Sequence, residues 1–461
     1  MTEIIRKTTS LCPCCQKLIP ACYKASGNLV YLEKTCPEHG NFSLLVCDSL
    51  EAFLKWDSVK TVNIPPKKPL TKGTDAFKGN TECPLHCGPC ENHMQTPCCV
   101  LLEITKRCNQ HCPYCFAESE RAIDEFEPSL LEIEEKLKFL KSLGEERPYN
   151  IQFSGGEPTV RDDLPEMLKT AKDLSFPYLQ INTNGKRLAL EEGYAENLKE
   201  NGASVVFLQF DSTNDKTYMA LRNERLLHLK KKAIENCRKA QLPVTLVPTL
   251  VKGVNFHEIK EMMDFLFENL DIVSGIHFQP VSFFGRYPVD TVKDTLNKRV
   301  TMFELLDEIE RATEGKITKD MLSPMATGHP LCGFHGTFTI SEDKTITPLR
   351  EDTLEEPACC CTSVDPLDII IKDRGFVLNK WGGKGNTCCC SADSPDSFDS
   401  FLYNCKRSMF TLSSMAFQDC LSVDQERLKR CRVHVLSPDN RVIPFCSYNI
   451  YHRERLEGER K

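Results

Sequence analysis

The 461-residue chain predicts an α/β core with a parallel sheet, set between two cysteine-rich flanks. Between about residues 98 and 282, short apolar runs alternate six times with helical patterns, as strands joined by crossover helices do. The chain holds 26 cysteines, gathered in clusters mostly outside that stretch. With 41% hydrophobic and 27% charged residues and a net charge of -7, it reads as a soluble chain able to bury a core.

The amino-terminal unit, residues 1–60, contains "LCPCC" and "KTCPEHG". Cys12, Cys15, Cys36 and His39 make two metal knuckles separated by the strand-like "GNLVYLEKT", resembling a rubredoxin or zinc-ribbon unit. Cys14, Cys22 and Cys47 lie close by in sequence. The ligand set therefore stays open between His39 and Cys47, and the metal between iron and zinc. "VNIPPKKPLTKGT" (62–74) reads as a linker. Residues 61–97 carry "ECPLHCGPCENH", whose Cys83, Cys87 and Cys90 are spaced C-x3-C-x2-C. With Cys98 or Cys99 as a fourth thiolate they form a candidate closed auxiliary [4Fe–4S] site, with structural zinc as the alternative.

The core, residues 98–285, offers strands at "CVLLEIT" (99–105), "NIQFS" (150–154), "YLQIN" (178–182), "SVVFLQF" (204–210), "PVTLVPTL" (243–250) and "GIHFQPV" (275–281). "SLLEIEEKLKFLKSLG" (129–144) has helical apolar spacing, with Ser129 and Glu132 as a capping box. Parallel strands bring the residues that follow them to one end of the sheet, where α/β sites lie. The alternation fits an open doubly wound sheet and a partial barrel equally. On "LLHLKKKAIENCRKAQ" (226–241) the lysines read as a solvated helix face and Cys237 as a buried thiol.

The first strand leads into "KRCNQHCPYCF", which places Cys108, Cys112 and Cys115 in the loop beyond it, flanked by Tyr114 and Phe116. Three thiolates on a four-iron cluster leave one iron open to a small chelating molecule. After the second strand comes "FSGGEPT" (153–159), where Gly155 and Gly156 permit close backbone approach and Glu157 adds a carboxylate. This combination resembles the radical SAM superfamily. The resemblance implies a partial (β/α)6 barrel and an open cluster on Cys108, Cys112 and Cys115 that chelates S-adenosylmethionine. It further implies reductive cleavage to a 5′-deoxyadenosyl radical, with Gly155, Gly156 and Glu157 as cofactor contacts. "INTNG" (181–185) resembles the ribose-side loop and offers Asn184; "LQFDS" (208–212) offers Asp211; "VKGVN" (251–255) resembles the segment that reads adenine. Asp211, His277, Gln279 and Tyr448 are candidates for the barrel mouth.

The last region, 286–461, is irregular and cysteine-rich, with Cys332, "ACCCT" (358–362), "TCCCS" (387–391), Cys405, Cys420, Cys431 and Cys446. "RCRVHVLSPDNRVIPFCSYN" (430–449) reads as a hairpin turning at "PDN", across which Cys431 and Cys446 approach. Cys332, Cys431 and Cys446 are candidate metal ligands. Together, the CPxC…CPEHG unit, the CPxxCGxC stretch, the central triplet with GGEPT, and "MAFQD…ERLKRCRVH…PDNRVIPFC" resemble one branch of the superfamily. That branch holds archaeal tetraether lipid synthases and 7,8-dihydro-6-hydroxymethylpterin dimethyltransferase-like proteins. The tracts Cys359–Cys361 and Cys388–Cys390 lie outside its pattern.

The function expected is that of a radical enzyme performing C–C coupling, alkylation or methylation on a small-molecule or lipid substrate. It draws electrons from a reductant such as ferredoxin or flavodoxin. Its metals are the radical cluster, at least one auxiliary [4Fe–4S] cluster and one mononuclear iron or zinc. The alternative is a multi-cluster electron-transfer or scaffold protein, which an open triplet beside GGEPT argues against. Net acidity argues against nucleic-acid binding. The sequence displays no transmembrane run and no apolar leader, so a reducing, cytoplasmic compartment is expected.

Overall fold

In a computed structural model, the structure describes residues 2–68, 70–71, 83–85, 87–88, 92–119, 127–144, 149–289, 291–325, 327–341, 343–349 and 409–458. Cys90, Cys405 and the cysteine tracts at 359–361 and 388–390 lie outside the described residues.

Strands β1 (Thr2–Leu11), β2 (Leu18–Ser26), β3 (Leu29–Cys36) and β4 (Gly40–Cys47) form an antiparallel meander, closed by helix α1 (Leu50–Asp57). Ser49 caps that helix, accepting from the Ala52 N–H. The unit is docked on the rest of the chain. Phe53 and Trp56 meet Phe303, and the Trp56 indole N–H donates to the Pro330 carbonyl at 2.8 Å. The stretch read as a linker is also tied down, with Ile64 and Leu70 buried and Ile64 bridged to Gln95.

The core follows as β5 (Cys99–Thr105), α2 (Leu130–Leu143), β6 (Asn150–Gly155), α3 (Leu164–Asp173), β7 (Leu179–Thr183), α4 (Lys186–Leu190), α5 (Tyr194–Glu200), β8 (Val205–Gln209), α6 (Asp215–Arg222), α7 (Leu227–Lys239), β9 (Val244–Val247), β10 (Thr249–Leu250), α8 (Ile259–Glu268) and β11 (Val273–Pro280). All neighbouring strands from β5 to β11 pair in parallel. Their side chains are apolar toward the helices, while Gln152, Gln180, Asn182, Gln209, His277 and Gln279 face the cavity inside. This is the six-stranded (β/α)6 core. The Ser129–Glu132 capping box starts α2 as expected.

The described parts of the carboxy-terminal region hold more regular structure than their sequence displays. Beyond α9 (Val292–Lys298) and α10 (Met302–Ala312) come β12 (Ser323–Pro324), β13 (Gly333–Ile340) and β14 (Ile346–Pro348). Then follow β15 (Met409–Met415), α11 (Gln425–Lys429), β16 (Val433–Leu436) and β17 (Val442–Pro444). Strand β15 adds in parallel to β11, and β16 adds in parallel to β5. The sheet thus runs β12-β13-β15-β11-β9-β8-β7-β6-β5-β16-β17, with carboxy-terminal strands on both sides of the core. The hairpin read from "PDN" is β16–β17, and Asn440 takes the left-handed conformation at its turn. Among the described residues no helix is long and apolar enough to cross a membrane.

Candidate functional site

The meander gathers four ligand atoms. Cys12 Sγ and Cys36 Sγ lie 3.7 and 3.5 Å from His39 Nδ1, and Cys15 Sγ lies 4.0 Å from Cys36 Sγ. Among the described residues this is the one histidine, cysteine and carboxylate set whose ligand atoms all lie within 4.8 Å of one another. Hydrogen bonding to His39 draws the Cys36 thiol below its ordinary value. Burial opposes the same shift at Cys12, where the backbone N–H groups of Cys15 and Cys14 prevail. Three thiolates and an imidazole at this spacing fit structural zinc. Cys14 is exposed and outside the set. Cys47 is turned to Ser49, and burial raises it to about 11. His39, and not Cys47, stands with the other three ligand atoms.

The second site lies at the carboxyl ends of the core strands. Cys108, Cys112 and Cys115 line a cavity of about 360 Å³ together with Gly155, Gly156, Glu157 and Asn184. The loop that bears the thiols is fastened from two sides. Arg222 Nη1 donates to the Tyr114 carbonyl at 3.0 Å, and Arg286 Nε to that of Cys112 at 2.9 Å. Cys115 and Arg286 also exchange both backbone hydrogen bonds at 2.9 Å. Burial pushes Cys108 up to about 12, with the nearby Glu157 charge adding to it, and raises Cys112 as well. Thiols so placed give up their protons to a bound cation. Three converging cysteines that are wider apart than a one-ion site fit a multi-iron cluster.

The glycines of FSGGEPT are set by clearance. A Cβ on Gly155, whose φ is +126°, would stand 2.1 Å from the Thr105 carbonyl oxygen. One on Gly156 would stand 2.2 Å from that of Arg107. The loops after β5 and β6 therefore touch, through the Gly156 N–H to Thr105 O and the Glu157 N–H to Arg107 O at 2.8 and 2.9 Å. Glu157, 1% exposed, joins the third loop. It accepts from the hydroxyls of Thr159 and Thr183 and from the Asn184 N–H, each at 2.6 Å. Asn184 then donates through Nδ2 to Asn109 Oδ1 at 2.7 Å, returning to the triplet loop.

Residues 102–266 match the family model of the radical SAM superfamily, and residues 4–48 that of the HMPTM N-terminal zinc ribbon domain. A relative from Methanocaldococcus jannaschii, 7,8-dihydro-6-hydroxymethylpterin dimethyltransferase, is 34% identical over 98% of this chain and 95% of its own length. The chain belongs to the radical SAM superfamily. A probable GTP 3',8-cyclase from Methanothermobacter thermautotrophicus is 32% identical across 38% of this chain and 55% of its own. Among solved structures, Streptococcus suis SuiB bound to its precursor peptide SuiA is 19% identical, with a TM-score of 0.37, covering 48% of this chain and 46% of that one. Radical SAM proteins hold a [4Fe–4S] cluster and S-adenosylmethionine, and this chain is a radical SAM enzyme with a zinc-ribbon metal site.

Several expected residues of this radical SAM enzyme stand elsewhere. Asp211 is fully buried and off the cavity wall, its carboxylate taken by Arg222 at 2.7 Å and by the Thr249 N–H. It is connected to the cavity wall through Arg222. The turn at Val251–Asn255 is also off the wall, and Asn255 closes it by hydrogen bonds to Val251, Thr249 and Asp211. His277 and Gln279 do line the cavity. Tyr448 does not, and donates to Glu103 instead.

A second thiol group lines the same cavity: Cys332, Cys431 and Cys446, with Cys98 and Cys99. The Cys98 backbone N–H donates to the Arg432 carbonyl, and Cys98 lines the cavity, whereas Cys83 and Cys87 lie off its wall. Cys87 stands 3.1 Å from the Ser447 hydroxyl, and its thiol is drawn down by Cys83, against burial, with help from His452. Burial and the neighbouring Cys446 and Cys332 raise Cys431.

Sequence reasoning missed the cations. Lys230, read as part of a solvated face, is fully buried. Its Nζ donates to the Asn184 carbonyl at 2.6 Å, and burial lowers it to about 8. Arg222 and Arg286, whose targets lie in remote loops, carry no local signal.

Proposed function

We propose that Cys108, Cys112 and Cys115 hold the open [4Fe–4S] cluster, with Gly155, Gly156, Glu157 and Asn184 forming the cradle for S-adenosylmethionine. When bound, the pair supplies a one-electron cleavage of the sulfonium and a 5′-deoxyadenosyl radical. Glu157 and Asn184 orient the amino-acid and ribose ends, Arg222 and Arg286 fix the thiol loop, and Tyr114 and Phe116 exclude water. The observation that carries this reading is the interlock of the three loops through Glu157 beside the three thiols that line the cavity.

The reaction proposed is methylation or alkylation at carbon on a small molecule. The support is the name of the Methanocaldococcus relative and its identity over nearly the whole chain. Phe445, packed on Phe116, Phe284 and Phe417, gives the cavity an aromatic side suited to a flat ring or an alkyl chain. Cys332, Cys431 and Cys446, with Cys98, are proposed to hold an auxiliary cluster within this cavity, and Cys83 and Cys87, with Cys90, another behind it. A ferredoxin- or flavodoxin-class protein supplies the electron, in a reducing, cytoplasmic compartment suited to so many free thiols.

The test is anaerobic reconstitution with iron and sulfide, reduction with S-adenosylmethionine present, and mass spectrometry for 5′-deoxyadenosine. Wild type forms it and Cys112→Ala does not. Equal formation by the variant rejects the site; absence from an iron-loaded wild type rejects the activity.

A further inference from the structure

The cavity wall is unbalanced in charge. Among the described residues its lining holds five arginines (Arg222, Arg286, Arg427, Arg430 and Arg432) and a single carboxylate, Glu157. Two of the arginines are accounted for: Arg222 pairs with Asp211, and Arg286 holds the carbonyls of Cys112 and Ser119. The other three come from the segment between β15 and β16. Arg432 is bound to the Thr327 hydroxyl.

Arg427 is 8% exposed; its Nη2 donates to the Ala416 carbonyl at 2.6 Å and it hydrogen-bonds Cys332, yet its Nε is buried with no partner. The Nε of Arg430 is likewise buried and unpartnered. His329, on the same wall, accepts from the Leu331 N–H through Nδ1, so its Nε2 carries the proton. Arg6 bridges Asp424 and Asp57, whose charges also act on Arg427, Arg430 and His329. An auxiliary cluster accounts for the contact between Arg427 and Cys332. Within the protein both Nε–H groups have no acceptor, and the imidazole N–H lies on the same wall. Buried donors without acceptors are costly unless a ligand supplies the oxygens.

We propose that Arg427, Arg430 and His329 form an anion subsite of the cavity, which seats a phosphoryl or carboxylate group of the substrate. The inference rests on the reading of this cavity as the radical site and adds the substrate's chemical class. Guanidinium forks suit both oxyanions, and a fixed anionic end leaves the remainder of the substrate to reach toward the triplet.

The test uses the reconstituted full-length protein with S-adenosylmethionine already bound, so that the cofactor cradle is filled. Inorganic phosphate and acetate are titrated by calorimetry. Wild type binds one of them, and which one separates a phosphoryl from a carboxylate substrate. Arg430→Gln and Arg427→Gln weaken that binding by about tenfold or more, as the loss of a charged hydrogen-bond partner does. Arg430→Lys, which keeps the charge but loses the fork, falls between. Iron content and the electron paramagnetic resonance signals of each variant report whether it folds and loads. Binding of neither anion, or equal binding by wild type and loaded Arg430→Gln, overturns the proposal. Altered cluster signals with unaltered anion binding also overturn it, because the arginines then serve a cluster. Failure of the wild type to form 5′-deoxyadenosine bears on the radical reading alone.

Discussion

Arg222 grips Asp211 with two parallel hydrogen bonds, Nε to Oδ2 and Nη2 to Oδ1, both 2.7 Å, with both side chains almost fully buried. The same guanidinium reaches the Tyr114 carbonyl in the thiol loop and the Thr249 hydroxyl. The pair couples the ends of the fourth and fifth core strands to the metal-binding loop.

Asp211→Asn leaves Arg222 charged, buried and unpaired. Such a break costs about 3–5 kcal/mol, whereas replacing both partners with apolar residues costs far less. The double variant Asp211→Leu with Arg222→Met is therefore expected to unfold at a higher denaturant concentration than Asp211→Asn. Equal midpoints for wild type and Asp211→Asn would sink the idea.

Gly155→Ala forces a side chain onto the Thr105 carbonyl at a φ of +126°. The backbone strain alone is about 1–3 kcal/mol. The clash also parts the first two loops, so S-adenosylmethionine binding, followed by equilibrium dialysis, is expected to be lost before global folding fails.

Burial lowers Lys230 from 10.5 to about 8. Its folded value lies below its unfolded one, so between about pH 8 and 10.5 the unfolded chain binds more protons at this residue. Its contribution to stability therefore rises with pH across that window and is least favourable below pH 8. Lys230→Met lacks this term. The stability of the variant relative to wild type is expected to fall as pH is raised from 7 to 10, read as the difference between two denaturant midpoints. A constant difference would show that the buried amine does not titrate there.

Cys36→Ser removes a ligand from the meander site and Cys14→Ser does not. Elemental analysis of the first variant is expected to show the loss of about one metal ion per chain, with a lowered melting temperature, because ligation stabilises such small units directly. The second keeps its metal.

Much of this was legible in local patterns. The triplet follows a strand and the GGEPT loop follows the next, and both positions hold. The capping box at Ser129 and the turn at "PDN" are read from a few adjacent residues, and both form. What stayed hidden depends on distant partners. Strands β15 and β16 are short, and nothing local in "MFTLSSM" or "VHVL" says that they pair with β11 and β5. Asp211 ends a strand like a ligand-binding residue, but Arg222, at the far end of the next helix, claims it. Lys230 looked solvated because lysine runs usually are; burial of one member shows only when the loop it supports is in place.

The segment 416–432 carries the chain from β15, on one edge of the parallel core, to β16, on the other. The core is therefore not a detachable module. A fragment ending near residue 282 would lack the outer neighbours of β5 and β11 and would bare two strands' worth of unpaired amides and carbonyls. Such a truncation is suited to aggregation.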